Sequence, residues 1–216
     1  MANTSVPLNQ LVLPRVRKIL NRKVKNRLWE SETELDVQVG PVHTDPVTFS
    51  KASKEKFKPI KSGDIYSPKS KGEHGEFPWD HRWFKVKVPA PKKGEKGKRY
   101  LRWCASGEFN IYLDGSPWCG LDVAHTEAPL PDKACTLYIE CGLWQTGIWG
   151  QEGEWLRPVD GFMFKFAKLS IRDTKAWEVY HDLAVLVEWA EYFFKKYNLR
   201  SNDGPGYNDP LSKVPV

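Results

Sequence analysis

The sequence predicts a mainly β protein, with one β-sandwich between two amphipathic helices. Several short strand-like segments follow one another over residues 79–172, and no helical periodicity occurs among them. Turn-forming residues separate these segments, while helical periodicity is found only before and after them. Short strands joined by turns are typical of sandwiches, whereas a parallel α/β sheet would need helices between its strands. These observations favour a sandwich.

Residues 1–78 are expected to form a helix and an irregular lead-in that packs on the sandwich. From Leu13 to Leu28, apolar residues recur every three or four positions, which predicts an amphipathic helix with one narrow apolar stripe. Pro14 lies near the start of this pattern, where proline is tolerated. Five further prolines would interrupt any long element before residue 79; they are Pro41, Pro46, Pro59, Pro68 and Pro78.

Residues 79–172 contain the strands of the predicted sandwich. In RWFKVKVPA, apolar side chains alternate with Trp83, Lys85 and Lys87, as in a half-buried strand. The apolar face of this strand would consist of Phe84, Val86 and Val88. Further strand-like segments are RYLRWCA, FNIYL, CTLYIECGL and GFMFKFAKLSI.

The segment 110–130 combines a turn signal with ionisable side chains. Asp114-Gly115 lies between two strand-like runs and predicts a two-residue hairpin, because both turn positions require positive φ. The loop that follows contains Asp122, His125 and Glu127. Two carboxylates and an imidazole could act as general acid and base if they converged on a pocket. The alternative is a hydrogen-bonded connection without a chemical role.

Residues 173–199 predict a second helix that is apolar over more than half of its circumference. Asp173 suits the N-cap, and Lys195 and Lys196 suit the C-terminal end of the helix dipole. The apolar positions at helical spacing are Trp177, Tyr180, Leu183, Val187, Ala190 and Phe194. Residues 200–216 are turn-rich and predict a linker or tail. So broad an apolar face suggests an interface with a further domain, and we expect Val216 to end a fragment.

Composition limits the classes of function. No run approaches 18 apolar residues and the N-terminus lacks the pattern of a signal peptide, so we expect a cytoplasmic protein without a membrane partner. The four cysteines form no Cys-x-x-Cys pair, which favours reduced thiols over zinc ligands. His43 and Asp45 have His-x-Asp spacing, but no second ligand pair is near them. We therefore expect no metal site and no cofactor in this chain.

The net charge of +6 raises the question of nucleic acid. Seven basic residues lie between Arg15 and Arg27, and such a cluster can attract phosphates. Four acidic residues follow directly, at Glu30, Glu32, Glu34 and Asp36. This favours a solvated helix face over a nucleic-acid partner.

Three blocks resemble one known family when they are taken in order. They are FPWDHRWFKVKVPAP (77–91), LRWCASGEFNIYLDGSPWCGLDVAHTEAPL (101–130) and LYIECGLWQTGIWG (137–150). Together they resemble the N-terminal domain of α-mannosidases of glycoside hydrolase family 38, in its cytosolic or vacuolar branch. The likeness spans roughly residues 10–199. The matching features are Trp83-Phe84, Glu108, Asp114-Gly115 with Gly120-Leu121, His125 with Pro129-Leu130, and Tyr138-Ile139-Glu140 with Gly150.

The resemblance implies a jelly-roll-like, galactose-binding-like sandwich that precedes a catalytic barrel. In that family the barrel holds a zinc ion and an Asp nucleophile, and no residue of this chain matches those motifs. The resemblance therefore implies a glycosidase acting on α-mannosides as the parent protein, with this chain inactive alone. Its partners would be its own catalytic domain, mannose-containing oligosaccharides through the full-length protein, and further copies in a homo-oligomer. A eukaryotic protein of this kind could also be delivered to the vacuole.

Two roles for particular side chains follow. If the domain supports a catalytic barrel, Asp122, His125 and Glu127 would form part of the active-site rim. If it is instead a stand-alone carbohydrate-binding module, exposed tryptophans would stack on pyranose rings. The candidates for this second role are Trp118, Trp144 and Trp149, each of which could equally pack inside the protein.

Overall fold

The structure is a computed structural model that describes residues 8–68, 81–122, 124–142 and 161–196. The chain forms two compact units, Ser31–Arg172 and a unit made from the flanking segments Met1–Glu30 and Asp173–Val216. The helices are α1 (Leu8–Ile19), α2 (Phe49–Ala52) and α3 (Thr174–Lys196). A π-helical turn (Leu20–Val24) and a 3-10 turn (Lys25–Arg27) follow α1.

The described strands form two sheets. They are β1 (Trp29–Glu34), β2 (Val37–Val39), β3 (Lys58–Ile60), β4 (Ile65–Pro68), β5 (His81–Val88), β6 (Lys98–Ala105), β7 (Glu108–Leu113), β8 (Ser116–Leu121), β9 (Glu127–Pro129), β10 (Cys135–Gly142) and β11 (Gly161–Arg172). One sheet has the order β3-β2-β5-β10-β7-β8; in the other the order is β1-β11-β6-β9, and β4 also pairs with β11.

The two sheets enclose one hydrophobic core, which confirms the predicted mainly β sandwich. Neighbouring strands such as β5 and β10, or β6 and β11, run antiparallel. Alternate side chains of both sheets point inward and are almost completely buried, as the period of two requires. The core includes Phe84, Trp103, Ile111, Ile139 and Phe162.

The Asp-Gly hairpin is confirmed. Asp114 and Gly115 connect β7 to β8, with φ values of 52° and 83°. Both turn positions are therefore left-handed, as a type I′ turn requires. Asp114 serves backbone geometry, and Cys119 lies on β8, an edge strand of its sheet.

The lead-in over residues 1–78 differs from the prediction of an irregular segment. Strands β1 to β4 lie within it: β2 and β3 extend one sheet, and β1 and β4 each pair with β11 in the other. The compact unit accordingly begins at Ser31 and not at residue 79. These strands have three to six residues, and β1 is WESETE, with five of its six residues exposed. Their backbone groups pair across the sheet, and segments of three to six residues are too short for apolar alternation to mark them clearly.

Trp83 also differs from its expected place on a solvent-facing surface. It points away from the main core and is nevertheless fully buried. Phe49 of α2 lies over this outer face, with its ring centroid 6.3 Å from Trp83, 5.6 Å from Tyr112 and 5.3 Å from Tyr138. Because α2 has only four residues, the sequence shows no helical periodicity that would predict it.

The flanking unit contains α1 and α3. Helix α1 begins at Leu8, five residues before the predicted stripe, and Pro14 lies inside it. Asp173 caps α3 as predicted, because its Oδ1 accepts a hydrogen bond of 2.9 Å from the Ala176 amide. The Phe194 side chain and residues 200–216 lie outside the described residues. In the part of the chain that the structure describes, no helix is long and apolar enough to cross a membrane.

Candidate functional site

An open cleft of about 560 Å³ lies at one end of the outer face of the sheet that contains β7, β8 and β10. Its polar lining comes from β5, β7, β10 and the loop between β8 and β9. None of the described lining residues is lysine or arginine. The polar side chains are His81, Glu108, Asn110, Asp122, His125 and Glu140.

The register of β7 with β8 and β10 explains why a depression forms on this face. Asn110 lies between Gly120 on β8 and Glu140 on β10. In the next outward-facing row, Glu108 lies opposite Gly142. The two glycines place no side chain on this face, and a Cβ at Gly142 would meet no atom within 4 Å. The carboxylates of Glu108 and Glu140 are therefore at the floor of an open depression.

Asp122 and His125 form one wall through a compact local network. The Oδ1 atom of Asp122 accepts hydrogen bonds from the amides of Ala124 (2.7 Å) and His125 (2.6 Å). The Nδ1 atom of His125 lies 2.9 Å from Asp122 Oδ2. Burial alone would raise the pKa of Asp122, but the hydrogen bonds from the side chain and backbone of His125 outweigh it and lower that pKa. The carboxylate is thus held in its ionised form, while the imidazole remains largely exposed.

Glu127, the third member of the predicted group, does not line this cleft. It lies on β9 in the opposite sheet. Its Oε2 is 3.3 Å from Arg172 Nη2, and its Oε1 is 3.9 Å from Arg102 Nε. The structure therefore brings Asp122 and His125 together and directs Glu127 into a separate ion-pair network.

Glu140 and Asn110 are site residues that the sequence reasoning did not single out. Glu140 Oε2 lies 3.5 Å from Asn110 Nδ2 and 3.4 Å from the Tyr112 hydroxyl. The signal that could have revealed them is the alternation within FNIYL and CTLYIECGL, which places polar side chains on one face of adjacent strands. Their proximity depends on the register between β7 and β10.

In the His43-x-Asp45 pattern, the imidazole of His43 is paired with a nearby carboxylate. His43 Nε2 lies 3.0 Å from Glu55 Oε2, and both side chains are largely buried. The backbone of His43 pairs with that of His81. Among the residues that the structure describes, no group of three or more His, Cys, Asp and Glu side chains is arranged to hold a metal ion.

Trp118 is the only predicted sugar-stacking residue within the described ranges. It lies on β8 with 47% of its surface exposed. Its indole Nε1 donates a hydrogen bond of 2.8 Å to the Pro129 carbonyl, which fixes the orientation of the ring. Trp144 and Trp149 lie outside the described residues.

The four cysteines are free thiols, as expected from their spacing. Cys104 and Cys141 are buried, and Cys119 and Cys135 are partly buried. Burial raises the pKa of Cys141 to about 12, so this thiol stays protonated at neutral pH. Burial also raises the pKa of the Cys104, Cys119 and Cys135 thiols above the ordinary value.

The family comparison identifies the sandwich. A family described as "Alpha-mannosidase, jelly roll domain" matches residues 32–163, which is nearly the whole unit Ser31–Arg172. The chain belongs to this family. The jelly-roll fold and the resemblance to the α-mannosidase N-terminal domain are thereby confirmed.

Solved structures that are similar to this chain include three β-glucuronidases. For the Faecalibacterium prausnitzii enzyme the TM-score is 0.44 at 12% identity, covering 67% of this chain and 32% of that chain. For the enzyme of an uncultured Clostridium sp. the TM-score is 0.42 at 12% identity, covering 67% of this chain and 29% of that chain. For the Bacteroides uniformis enzyme the TM-score is 0.42 at 13% identity, covering 65% of this chain and 18% of that chain. The chain thus spans about a third of their length or less. No curated protein matches the chain.

Proposed function

We propose that this jelly roll domain is the non-catalytic N-terminal domain of a glycosidase that acts on α-mannosides. The observation that carries the proposal is the family match over residues 32–163. In this proposal the domain supports a metal-dependent catalytic barrel that is not part of this chain. Zinc would be bound in that barrel, and the full-length protein would act in the cytoplasm or, after delivery, in the vacuole.

The acidic cleft is the surface that we assign to the rim of the active site. Glu108, Glu140 and Asn110 present hydrogen-bonding groups on a face that two glycines leave open. Carboxylate oxygens accept hydrogen bonds from hydroxyl groups and from backbone amides. The same groups could therefore contact outer sugar residues of a bound oligosaccharide or a loop of the catalytic domain.

Activity measurements on two proteins test the proposal. With a chromogenic α-mannoside and added zinc, we expect no turnover by this chain and turnover by the polypeptide that the whole gene encodes. Hydrolysis by the isolated chain, or no α-mannoside hydrolysis by the whole-gene product, would overturn the assignment.

Substitutions in the whole-gene product test the rim. Glu108→Gln and Glu140→Gln are expected to raise KM for oligosaccharides several-fold and to leave kcat nearly unchanged, because these groups would bind substrate without reacting. Glu34→Gln is the matched control, since Glu34 is an exposed carboxylate on β1 in the other sheet. Unchanged KM in both cleft variants would remove the cleft from the rim.

Carbohydrate binding by Trp118 is a second candidate function. A half-exposed indole whose orientation is fixed by a hydrogen bond provides a ready stacking surface. Titration with mannose oligosaccharides, followed by tryptophan fluorescence, should then give a saturable change that Trp118→Ala abolishes. No change at millimolar sugar would exclude this function.

A further inference from the structure

A second pocket lies on the same outer sheet face as the acidic cleft, at the opposite end of the sheet. The first residue of β5 lines the cleft, whereas its last two residues line this pocket. The volume of the pocket is about 670 Å³, and pockets that hold small molecules have roughly 300–1,000 Å³. Its aromatic lining is Phe49 and Tyr138, and its polar lining includes Lys87, Asp114 and Thr136. We refer to it as the Lys87 pocket.

Two aromatic rings form a corner of the Lys87 pocket. The ring of Phe49 is perpendicular to that of Tyr138, and their centroids are 5.3 Å apart. Phe57 also packs against Tyr138, with ring centroids 5.9 Å apart. On the other side, Gly115 lies so close to Phe49 that a Cβ at this position would be 3.3 Å from the ring. The corner is therefore preformed, and it offers apolar surface to the C–H groups of a ring-shaped ligand.

The polar groups beside this corner suit a negatively charged ligand. Lys87 and Thr136 lie opposite each other on β5 and β10. Among the described residues, no hydrogen bond or ion pair engages the Lys87 ammonium, the Thr136 hydroxyl or the Tyr138 hydroxyl. The acidic side chain of the lining is already paired, because Asp114 Oδ2 lies 3.1 Å from Lys133 Nζ. The pocket thus presents a positive charge and hydroxyl donors to its occupant, a combination that favours an anion.

The chain next to the pocket adds further positive charge. Residues 89–98 continue from the end of β5 that lines the pocket into β6, and their exposed lysines are Lys92, Lys93, Lys96 and Lys98. None of these lysines is ion-paired with a residue that the structure describes. The acidic residue of this stretch, Glu95, is paired with the buried Arg99. Clustered charge of one sign concentrates ions of the opposite sign, so this end of the sheet attracts anions, in contrast to the acidic cleft.

We propose that the Lys87 pocket binds a phosphorylated sugar, with the phosphate at Lys87 and Thr136 and the sugar ring in the corner between Phe49 and Tyr138. Ammonium and hydroxyl groups donate charge-assisted hydrogen bonds to phosphate oxygens, and aromatic rings pack against the C–H groups of a pyranose. The anionic part of the inference follows from the charges of the pocket, and the sugar part rests on the proposed function. Because Lys87 is exposed, water competes for it, and we expect a Kd of roughly 1 mM.

Titration of the 216-residue chain with mannose 6-phosphate, followed by amide NMR at low salt, tests the proposal. Saturable shifts should be confined to the end of β5, the start of β10 and residues 89–98. Mannose should bind at least about tenfold more weakly, because it lacks the charged group. Lys87→Gln should also weaken mannose 6-phosphate about tenfold. Lys93→Gln is the matched control, since it removes the same charge outside the pocket, and it should change the Kd less than about twofold.

Two further ligands test the sugar part. Phe49→Leu should weaken mannose 6-phosphate several-fold and leave inorganic phosphate unchanged, because only the sugar meets the ring; thermal unfolding verifies that this variant folds. Adenosine monophosphate that binds through Lys87 as tightly as mannose 6-phosphate would show that the sugar part is wrong.

The source of the phosphate is resolved by a phosphorylated mannose oligosaccharide. Tighter binding than that of mannose 6-phosphate assigns the pocket to oligosaccharides, and equal binding assigns it to free sugar phosphates. No saturable shifts with mannose 6-phosphate, or equal losses in Lys87→Gln and Lys93→Gln, would overturn the proposal. Because binding is measured on the chain alone, this failure is distinct from that of the proposed function, which α-mannoside hydrolysis by the whole-gene product decides.

Discussion

Replacing Arg99 with methionine is expected to destabilise the β-sandwich by about 3–5 kcal/mol. Arg99 is 2% exposed and its guanidinium connects three stretches of chain. Nη1 donates to the carbonyls of Pro131 (3.0 Å) and Lys133 (3.2 Å), and Nη2 donates to that of Pro89 (2.5 Å). Nε lies 3.3 Å from Glu95 Oε1. Methionine has a similar volume but leaves these acceptors without their donor.

The magnitude follows from what remains after the substitution. Hydrogen bonds to a charged group contribute about 1.5–3 kcal/mol each, but water reaches some of the released loop carbonyls, so the three do not add fully. Removing one member of a buried ion pair costs about 3–5 kcal/mol, and the Arg99 side chain is too well buried for solvent screening to reduce this much. For a domain of this size the melting temperature should fall by about 10 °C or more.

Urea and thermal unfolding, followed by circular dichroism, measure this loss. Arg99→Lys should recover only a small part of it, because one ammonium group cannot reach the three carbonyls. A double-mutant cycle with Glu95→Gln separates the ion pair from the carbonyl contacts. If Arg99→Met cost less than about 1 kcal/mol, the reasoning that Arg99 joins these loops would be refuted.

Three further predictions concern turns and pH. Asp114→Ala should cost about 1 kcal/mol in urea unfolding, because its φ is 52°, whereas Asp114→Gly should be nearly neutral; equal losses would contradict the turn argument. Gly107→Ala should cost roughly 3 kcal/mol, since φ is +116° and the new Cβ would lie 2.8 Å from Cys141 Sγ. Gly63→Ala should cost only about 1–2 kcal/mol, because φ is +89° but the new Cβ would meet no atom within 4 Å. The lowered pKa of Asp122 means that its loop contributes stability above the pKa of an unfolded Asp, about 4, and loses it as pH falls through the folded value. Asp122→Asn should therefore flatten the acid limb of stability against pH, and an unchanged limb would contradict this.

The features of the fold that sequence could predict are those set by side-chain periodicity or by one turn. Phe84, Val86 and Val88 alternate because one face of β5 meets the core, and Asp114-Gly115 supplies the two left-handed positions of a hairpin. Strands β1 to β4 could not be predicted in this way. They are held by backbone hydrogen bonds: β2 pairs with β5, β3 pairs with β2, and β1 and β4 pair with β11. Such pairing leaves little trace in the residue types of so short a segment.

The candidate site could be predicted only for residues that are close together in the sequence. Asp122 and His125 are three residues apart in one loop, so the carboxylate reaches both the amide and the ring of His125. Glu127 is only two residues further on, but by then the chain has entered β9 and the opposite sheet. Glu108 and Glu140 are more than thirty residues apart in sequence, and only the register of β7 and β10 brings them to one cleft.

The layer that Phe49 adds to the outer face of the sheet has a dynamic consequence. On that side Phe49, carried by a four-residue helix, packs against Trp83 and Tyr112, whereas Phe84 and Ile111 on the other side belong to the core between two sheets. Detaching α2 would expose the aromatic rings of the outer layer and leave the ladder of β5, β7 and β10 intact. The amides around α2 should therefore exchange with solvent through a local opening of low free energy, while those of the central strands exchange only on global unfolding. The protein would thus contain two cooperative layers on the two sides of a single sheet.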